Sequence, residues 1–123
     1  MRQLEHVEAK ALIEWWTYFA RQRKIDERLL FAIPNGGLRH KAVAMKLKAE
    51  GVRSGIPDYL LAVTSRGIGG GIVPGLWIEL KAPGGRTSDS QDEMLILLGR
   101  QGYALCVSHG WQQAKKAIED YLK

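Results

Sequence analysis

Two apolar stretches decide the fold: PDYLLAV at residues 57–63, whose predicted strand is YLLAV at 59–63, and LWIELK at residues 76–81. Each is short, lies between glycines and prolines, and carries a charged residue near one end, which favours a buried strand over a helix. Side chains alternate between the two faces of a strand, so Glu79 and Lys81 lie on the same face. Asp58 opens the other strand. If the two strands pair, the carboxylates of Asp58 and Glu79 converge.

The segments around these strands alternate between helical and extended patterns. Apolar residues at three- and four-residue spacing predict helices over residues 3–24, 39–50, 89–101 and 111–122. Apolar runs predict further strands over residues 29–33 and 103–108. The glycine-rich stretches at 34–37 and 64–75 are predicted loops, the second a flexible hairpin loop. The order α-β-α-β-β-α-β-α predicts an α/β fold with a small mixed central sheet flanked by helices.

The same spacing predicts which residues face the core. In the first helix they are Leu4, Val7, Ala11, Ile13, Trp15, Tyr18 and Phe19. In the third helix, which Ser88 is placed to cap, they are Met94, Leu95, Leu97 and Leu98. Cys106 lies in an apolar run, and we expect it to pack in the interior.

The composition excludes several classes of protein. The chain has 123 residues, 46% of them hydrophobic, and a net charge of +5, which is unlike a disordered chain. No apolar run approaches the ~20 residues that span a bilayer, so we expect no membrane association. The start, MRQLEHVEAK, lacks the apolar centre of a signal peptide. We therefore expect a cytoplasmic protein that is not secreted.

The positive charge is concentrated in one segment. Residues 21–53 carry nine basic and three acidic residues, whereas residues 54–123 carry seven of each. A basic segment beside a neutral remainder indicates a polyanionic partner, with nucleic acid as the first candidate. The alternative is a solvated helix face without a partner.

The charges on the two decisive strands indicate chemistry as well as fold. Carboxylates of Asp58 and Glu79 that converge repel each other, and Mg²⁺ or Mn²⁺, which prefer oxygen ligands, would relieve that repulsion. Lys81 beside such a site can orient a water or stabilise the charge that develops on a phosphate. The alternative is a structural ion pair. Pro57–Asp58, 21 residues before Glu79, and Gln91, 12 residues after it, favour the metal site.

The pattern PD…ExK formed by Asp58, Glu79 and Lys81 resembles the core of the PD-(D/E)XK nuclease superfamily. The longer pattern is similar to the VRR-NUC (virus-type replication-repair nuclease) domain family in particular. The similarity rests on KLKAEGVRSGIPDYLL at 46–61 and GLWIELKAPGGRTSDSQ at 75–91, and it extends to AIPNGG at 32–37 and QGYALCV at 101–107. It implies a restriction-endonuclease-like core and a single nuclease domain over residues 1–123.

The resemblance implies a role for each matching residue. Asp58 and Glu79 would be metal ligands, with the backbone carbonyl of Leu80 as a further oxygen ligand. Lys81 would act on the attacking water or on the scissile phosphate. Gln91 would form hydrogen bonds near the same site. The implied cofactor is Mg²⁺ or Mn²⁺, and no nucleotide cofactor is expected.

The family pattern also includes an acidic residue in the first helix. Glu5 is the catalytic candidate there, although the Gln that often follows four residues later is Ala9 in this chain. Glu8 is the substitute, because it lies about one turn further along nearly the same face. The alternative for both is a surface charge that interacts favourably with the helix dipole.

Loop residues beside these motifs are candidate DNA contacts. Glycine permits a close approach of the backbone, and arginine binds phosphate in a bidentate manner. An ordinary turn and solvated loop charges are the alternatives. The candidates are Asn35, Gly36, Arg39, Arg53 and Arg86.

Small stand-alone members of the family are viral enzymes that act as homodimers on branched DNA. The resemblance thus implies a phage-like homodimeric endonuclease for four-way (Holliday) junctions or flaps, in DNA repair or recombination, within a bacterium or a phage-infected cell. We expect the dimer surface at Trp16, Phe19 or Trp111. Two alternatives stay open: a non-catalytic DNA-binding module that retains the nuclease fold, and a protein-interaction domain whose buried charges are structural.

Overall fold

In the computed structural model, residues 2–34 and 41–123 are described. The helices are α1 (Arg2–Arg23), α2 (Lys41–Ala49), α3 (Asp89–Arg100) and α4 (Trp111–Tyr121). The strands are β1 (Leu30–Ala32), β2 (Tyr59–Leu61), β3 (Ser65–Arg66), β4 (Ile72–Val73), β5 (Leu76–Lys81) and β6 (Ala104–His109). The predicted α/β fold and element order are confirmed, and the glycine-rich connector additionally contains the β3–β4 hairpin. None of the described helices has the length and apolar character needed to cross a membrane.

Four strands form the main sheet in the order β1-β2-β5-β6. β1 and β2 pair antiparallel, β2 and β5 pair antiparallel, and β5 and β6 pair parallel. Tyr59 lies opposite Ile78 in the β2–β5 register. Continued by one residue, this register places Asp58 opposite Glu79, so the sheet brings the two carboxylates to the same place.

The core lies between one face of the sheet and the helices α1 and α4. Leu76, Ile78 and Leu80 of β5 are buried on this face. Their neighbours in the chain, Trp77, Glu79 and Lys81, point to the opposite face, because side chains alternate along a strand. The predicted alternation of β5 is therefore confirmed.

The predicted inward face of α1 is wrong in part, since Ile13 and Trp15 pack against the core and Phe19 lies in it. Leu4, Val7 and Tyr18 are each more than half exposed. The buried stripe is instead Leu12, Trp16, Phe19 and Ala20, at the helical spacing of four, three and one residues. Because Trp16 and Phe19 lie in the core, they cannot supply the expected dimer surface. Trp111 is also packed against the core.

α3 covers the second face of the sheet only partly. Ser88 caps this helix as predicted, but no residue of α3 is fully buried. Leu97, expected to face inward, is 51% exposed, and its neighbour Ile96 is 56% exposed. Since β6 beneath it also exposes Leu105 and Val107, an apolar surface stays open on this side of the molecule.

Two contacts fix the segment that carries Asp58. The N–H of Ile33, which follows β1, donates to the carbonyl of Asp58 at 2.8 Å. Gly55 has a φ of +81°, and a Cβ built on it would lie 2.3 Å from the carbonyl oxygen of Ser90 in α3. Glycine is therefore required where this segment passes the first turn of α3.

Candidate active site

Asp58 and Glu79 form the centre of the site, on neighbouring strands. Glu79 is buried, with 2% of its surface exposed, although it lies on the less covered face of the sheet. Asp58 is half-buried, and its Oδ2 accepts a hydrogen bond from the N–H of Leu80 at 2.8 Å. This bond orients the Asp58 side chain toward β5.

The two oxygens of Glu79 have different surroundings. Oε2 accepts from the Nε2 of Gln91 at 3.2 Å and lies 3.3 Å from the Nζ of Lys81. Oε1 is buried and accepts no hydrogen bond from a donor among the described residues, and while Glu79 carries its proton this carboxyl can bond to Asp58. Burial, and then the neighbouring Asp58 carboxylate, raise the pKa of Glu79 to about 8. The Lys81 ammonium opposes this shift only in part.

Gln91 connects the site to the start of α3. Its Oε1 accepts from the Nζ of Lys81 at 3.0 Å and from the N–H of Ser88 at 2.8 Å. The Ser88 hydroxyl in turn accepts from the N–H of Gln91, which completes a capping box. The structure thus brings together the predicted residues Glu79, Lys81 and Gln91, with Lys81 held between two acceptors.

Pro57 removes the partner that a sheet would normally give to the backbone carbonyl of Leu80. Continued by two residues, the β2–β5 register places Pro57 opposite Leu80. Proline has no N–H, so it cannot donate to this carbonyl as a partner in a sheet normally would. The Pro–Asp pair therefore ends the strand pairing next to the carboxylates.

A cleft opens beside these groups, between α1 and the ends of β1, β2 and β5. Glu5 and Asp58 both line it, as does Leu80, and the lining is Glu5, His6, Ala9, Ala32, Ile33, Asp58, Tyr59 and Leu80. Within residues 2–34 and 41–123, no three His, Cys, Asp or Glu side chains come together closely enough to hold a metal ion on their own. Glu5 therefore shares the cleft with Asp58 without completing a three-carboxylate cluster.

Glu8 has a different environment from Glu5. Its Oε2 accepts a hydrogen bond from the N–H of Trp111 at 3.0 Å, at the first turn of α4. Gly110, which precedes that turn, provides no side-chain cap. Glu8 thus supplies the cap from a distant part of the chain, and a negative charge is favourable at this end of a helix. This is a structural position, whereas Glu5 faces the cleft.

The candidate DNA contacts are only partly described. Asn35, Gly36 and Arg39 lie outside the described residues. Arg53 and Arg86 are exposed in loops, one before Pro57–Asp58 and the other before α3.

His109 is a residue of this region that sequence reasoning did not place. It lies opposite Lys81 in the parallel β5–β6 pair. Its ring Nε2 is 2.9 Å from the carbonyl oxygen of Gly85, which places the loop carrying Arg86 beside Lys81. Only the strand register, which the sequence does not specify, brings His109 to this position.

Residues 3–112 match the family model of the VRR-NUC domain. The chain belongs to the VRR-NUC family. The solved structure of a VRR_NUC domain protein superposes with a TM-score of 0.75 over 95% of this chain and 86% of that one, at 24% sequence identity. This likeness confirms the VRR-NUC fold. No curated protein sequence resembles the chain closely enough to count as a match. The chain thus contains a VRR-NUC domain, a nuclease-type domain that processes DNA.

The raised pKa of Glu79 predicts that the cation-free protein becomes less stable as the pH rises. The pKa is near 4.5 for an ordinary Glu and about 8 in the fold. Between these values the folded state keeps a proton that the unfolded chain has lost, so the free energy of unfolding falls with rising pH. We expect Glu79→Gln to remove this decline and to gain a few kcal/mol relative to wild type between pH ~5 and pH ~8.

Denaturant unfolding in EDTA across this pH range measures the effect. Glu93→Gln, which removes an exposed carboxylate from α3, is the matched control and should follow the wild-type decline. If the free energy of unfolding of Glu79→Gln fell with pH as steeply as that of wild type, Glu79 would not be the group that keeps the proton in the folded state.

The different environments of Glu5 and Glu8 predict opposite effects of their removal. Glu8→Ala removes a helix cap, so it should lower the free energy of unfolding by about 1 kcal/mol and leave nuclease activity in the folded protein. Glu5→Ala should leave stability nearly unchanged and reduce nuclease activity. Thermal unfolding and cleavage assays on both variants make the comparison. Loss of activity in Glu8→Ala alone would reverse the assignment.

Proposed function

We propose that this VRR-NUC domain is a metal-dependent DNA endonuclease that hydrolyses phosphodiester bonds, with branched DNA such as four-way junctions or flaps as its substrate. The observation that carries the proposal is the environment of Glu79. It is a buried carboxylate with one unpartnered oxygen, next to a second carboxylate and a lysine. A buried carboxylate oxygen beside a second carboxylate, with no donor among the described residues, is the type of ligand that a hard divalent cation takes.

The donor set fits a hard divalent cation, Mg²⁺ or Mn²⁺. Oxygens are available from Asp58, from the unpartnered Oε1 of Glu79 and from the Leu80 carbonyl, with Glu5 across the cleft. Such cations take oxygen ligands and retain several waters, so three protein ligands suffice. When bound, the cation would supply positive charge that polarises the phosphate and favours ionisation of a water.

The side chains around this position have distinct tasks. Lys81 is held by Gln91 and Glu79, so its ammonium has one fixed position from which it orients the attacking water or stabilises charge on the phosphate. Asp58 is fixed by the Leu80 N–H, and its carboxylate interacts with that of Glu79. Arg53 and Arg86 flank the site and bind the phosphates on either side of the cut.

A homodimer is part of the proposal, because a domain of this size covers only one arm of a branched substrate. A two-fold dimer would present two sites to two strands. The supporting observation is the open apolar surface of α3 and β6, which consists of Ile96, Leu97, Leu105 and Val107. Exposed apolar side chains on two adjacent elements are a candidate interaction surface.

The first test is cleavage of labelled four-way junction, flap and linear duplex DNA. We expect cutting with Mg²⁺ or Mn²⁺ and none with EDTA, because the charge at the phosphate is then missing. With Ca²⁺ we expect binding without cutting. Lys81→Ala should lower the rate by about a hundredfold or more, whereas Lys116→Ala on α4 should not change it. Faster cutting of the branched substrates would support the proposed specificity.

Two other results would contradict the proposal. Binding without cutting of any substrate would identify a non-catalytic DNA-binding module. Neither binding nor cutting would favour a protein-interaction domain.

The dimer is tested by light scattering. We expect wild type to have twice the mass of the 123-residue chain and Leu97→Glu to have the mass of one chain, because a charge cannot be buried in an apolar interface without cost. Ile68→Glu is the control, since Ile68 is fully exposed at the tip of the β3–β4 hairpin. A monomeric wild type, or a dimer unaffected by Leu97→Glu, would exclude this interface.

A further inference from the structure

α2 has an unusual position in this fold. Apart from the half-buried Leu47, all of its residues are exposed. Among the described residues, none of the other helices and strands packs extensively against it. Val43 and Met45 are 48% and 63% exposed, so even its apolar side chains contribute little to the core. The stability of the fold does not explain why the chain forms a helix here.

The segment that contains α2 leaves and re-enters the sheet at the end that carries Asp58. The chain leaves the sheet after Ile33, whose N–H donates to the Asp58 carbonyl, and it returns at Asp58 itself. Both ends of the excursion that contains α2 are therefore fixed beside the candidate active site. Gly55 passes close to Ser90 and fixes the returning end against α3.

The charges of α2 are positive and unpaired. Lys41, Lys46 and Lys48 are exposed, and within the described ranges none of them forms an ion pair or a hydrogen bond through its side chain. At about 100° per residue, each lies about 100° or more around the helix axis from Leu47. Lys41 and Lys48 thus lie on one flank of the helix and Lys46 lies on the other, and none of them lies on the side on which the helix meets the protein.

We infer that α2 is a second DNA-binding element, which binds the phosphate backbone of the duplex next to the cleavage site through Lys41, Lys46 and Lys48. This inference rests on the proposed action on DNA and adds a binding surface separate from the catalytic groups. Its occupant is duplex DNA, because three unpaired ammonium groups beside a phosphodiester-cleaving site complement a polyanion. α2 contributes affinity that is independent of base sequence, and it takes no part in the cleavage step.

The test measures the salt dependence of binding to a labelled linear duplex in EDTA, where no cutting occurs. Removing one lysine–phosphate interaction reduces the slope of log K against log salt concentration by about 0.9. The triple variant Lys41→Gln/Lys46→Gln/Lys48→Gln should therefore lower the slope by up to about 2.7 and weaken binding about tenfold or more at ~50 mM salt. The maximal cleavage rate at saturating DNA should not change.

A control variant removes the same charge from the other end of the molecule. Lys116 and Lys123 lie near the end of α4. That end is held by hydrogen bonds from Tyr121 to the carbonyls of Val63 and Val73, which follow β2 and end β4, respectively. Arg100 is the last residue of α3, whose first turn lies at the active site. The variant Arg100→Gln/Lys116→Gln/Lys123→Gln should keep the wild-type slope. Unchanged thermal unfolding of both variants confirms that they fold.

The possible outcomes separate this inference from the proposed function. A smaller slope in the α2 variant alone supports the inference. Equal losses in both variants would overturn it, because net charge and not α2 would then determine affinity. An unchanged slope in the α2 variant, with a wild type that binds and cuts DNA, would overturn it and leave the proposed function intact. A wild type that neither binds nor cuts would refute the proposed function.

Discussion

The burial of Glu79 next to Asp58 is the constraint on which the rest of the structure depends. A carboxylate in the middle of a sheet, with a second carboxylate on the adjacent strand, is unfavourable unless other groups compensate. The fold offsets this cost only in part. The Lys81 ammonium and the Gln91 amide interact with Oε2 of Glu79, whereas Oε1 accepts no hydrogen bond from the described residues. A domain of this size has few interactions to spare for such a cost, and the repulsion is concentrated where the proposed cation would relieve it.

Much of the fold follows from local patterns in the sequence. The bounds of β5 agree with the prediction, because Gly75 and Pro83 limit how far this six-residue strand can extend in either direction. The Ser88 cap of α3 was equally predictable, since the capping box is a local motif. The buried face of α1 could not be predicted in the same way. Its apolar residues cover most of the helix surface, so only the position of the sheet selects Leu12 and Trp16 for burial and leaves Tyr18 exposed.

In the candidate site, too, some residues could be placed from local sequence patterns and others only from tertiary packing. Asp58, Glu79 and Lys81 could be predicted because their spacing reflects two paired strands. The role of Glu8 could not, because its partner Trp111 lies 103 residues away in the chain. The place of His109 depends on the β5–β6 register, and the requirement for glycine at position 55 depends on how closely α3 approaches. These are consequences of tertiary packing, and one sequence contains no local signal for them.

Gln91 has a consequence for which sequences this site tolerates. One side chain caps α3 through Ser88, accepts a hydrogen bond from Lys81 and donates one to Glu79. Glutamate would cap the helix equally well and would still accept from Lys81, but it has no donor for Glu79 and would place another negative charge against it. Methionine has a similar length and would do none of the three. A substitution at this position that is harmless to the helix therefore removes the hydrogen bond to Glu79, and the amide meets two independent structural requirements.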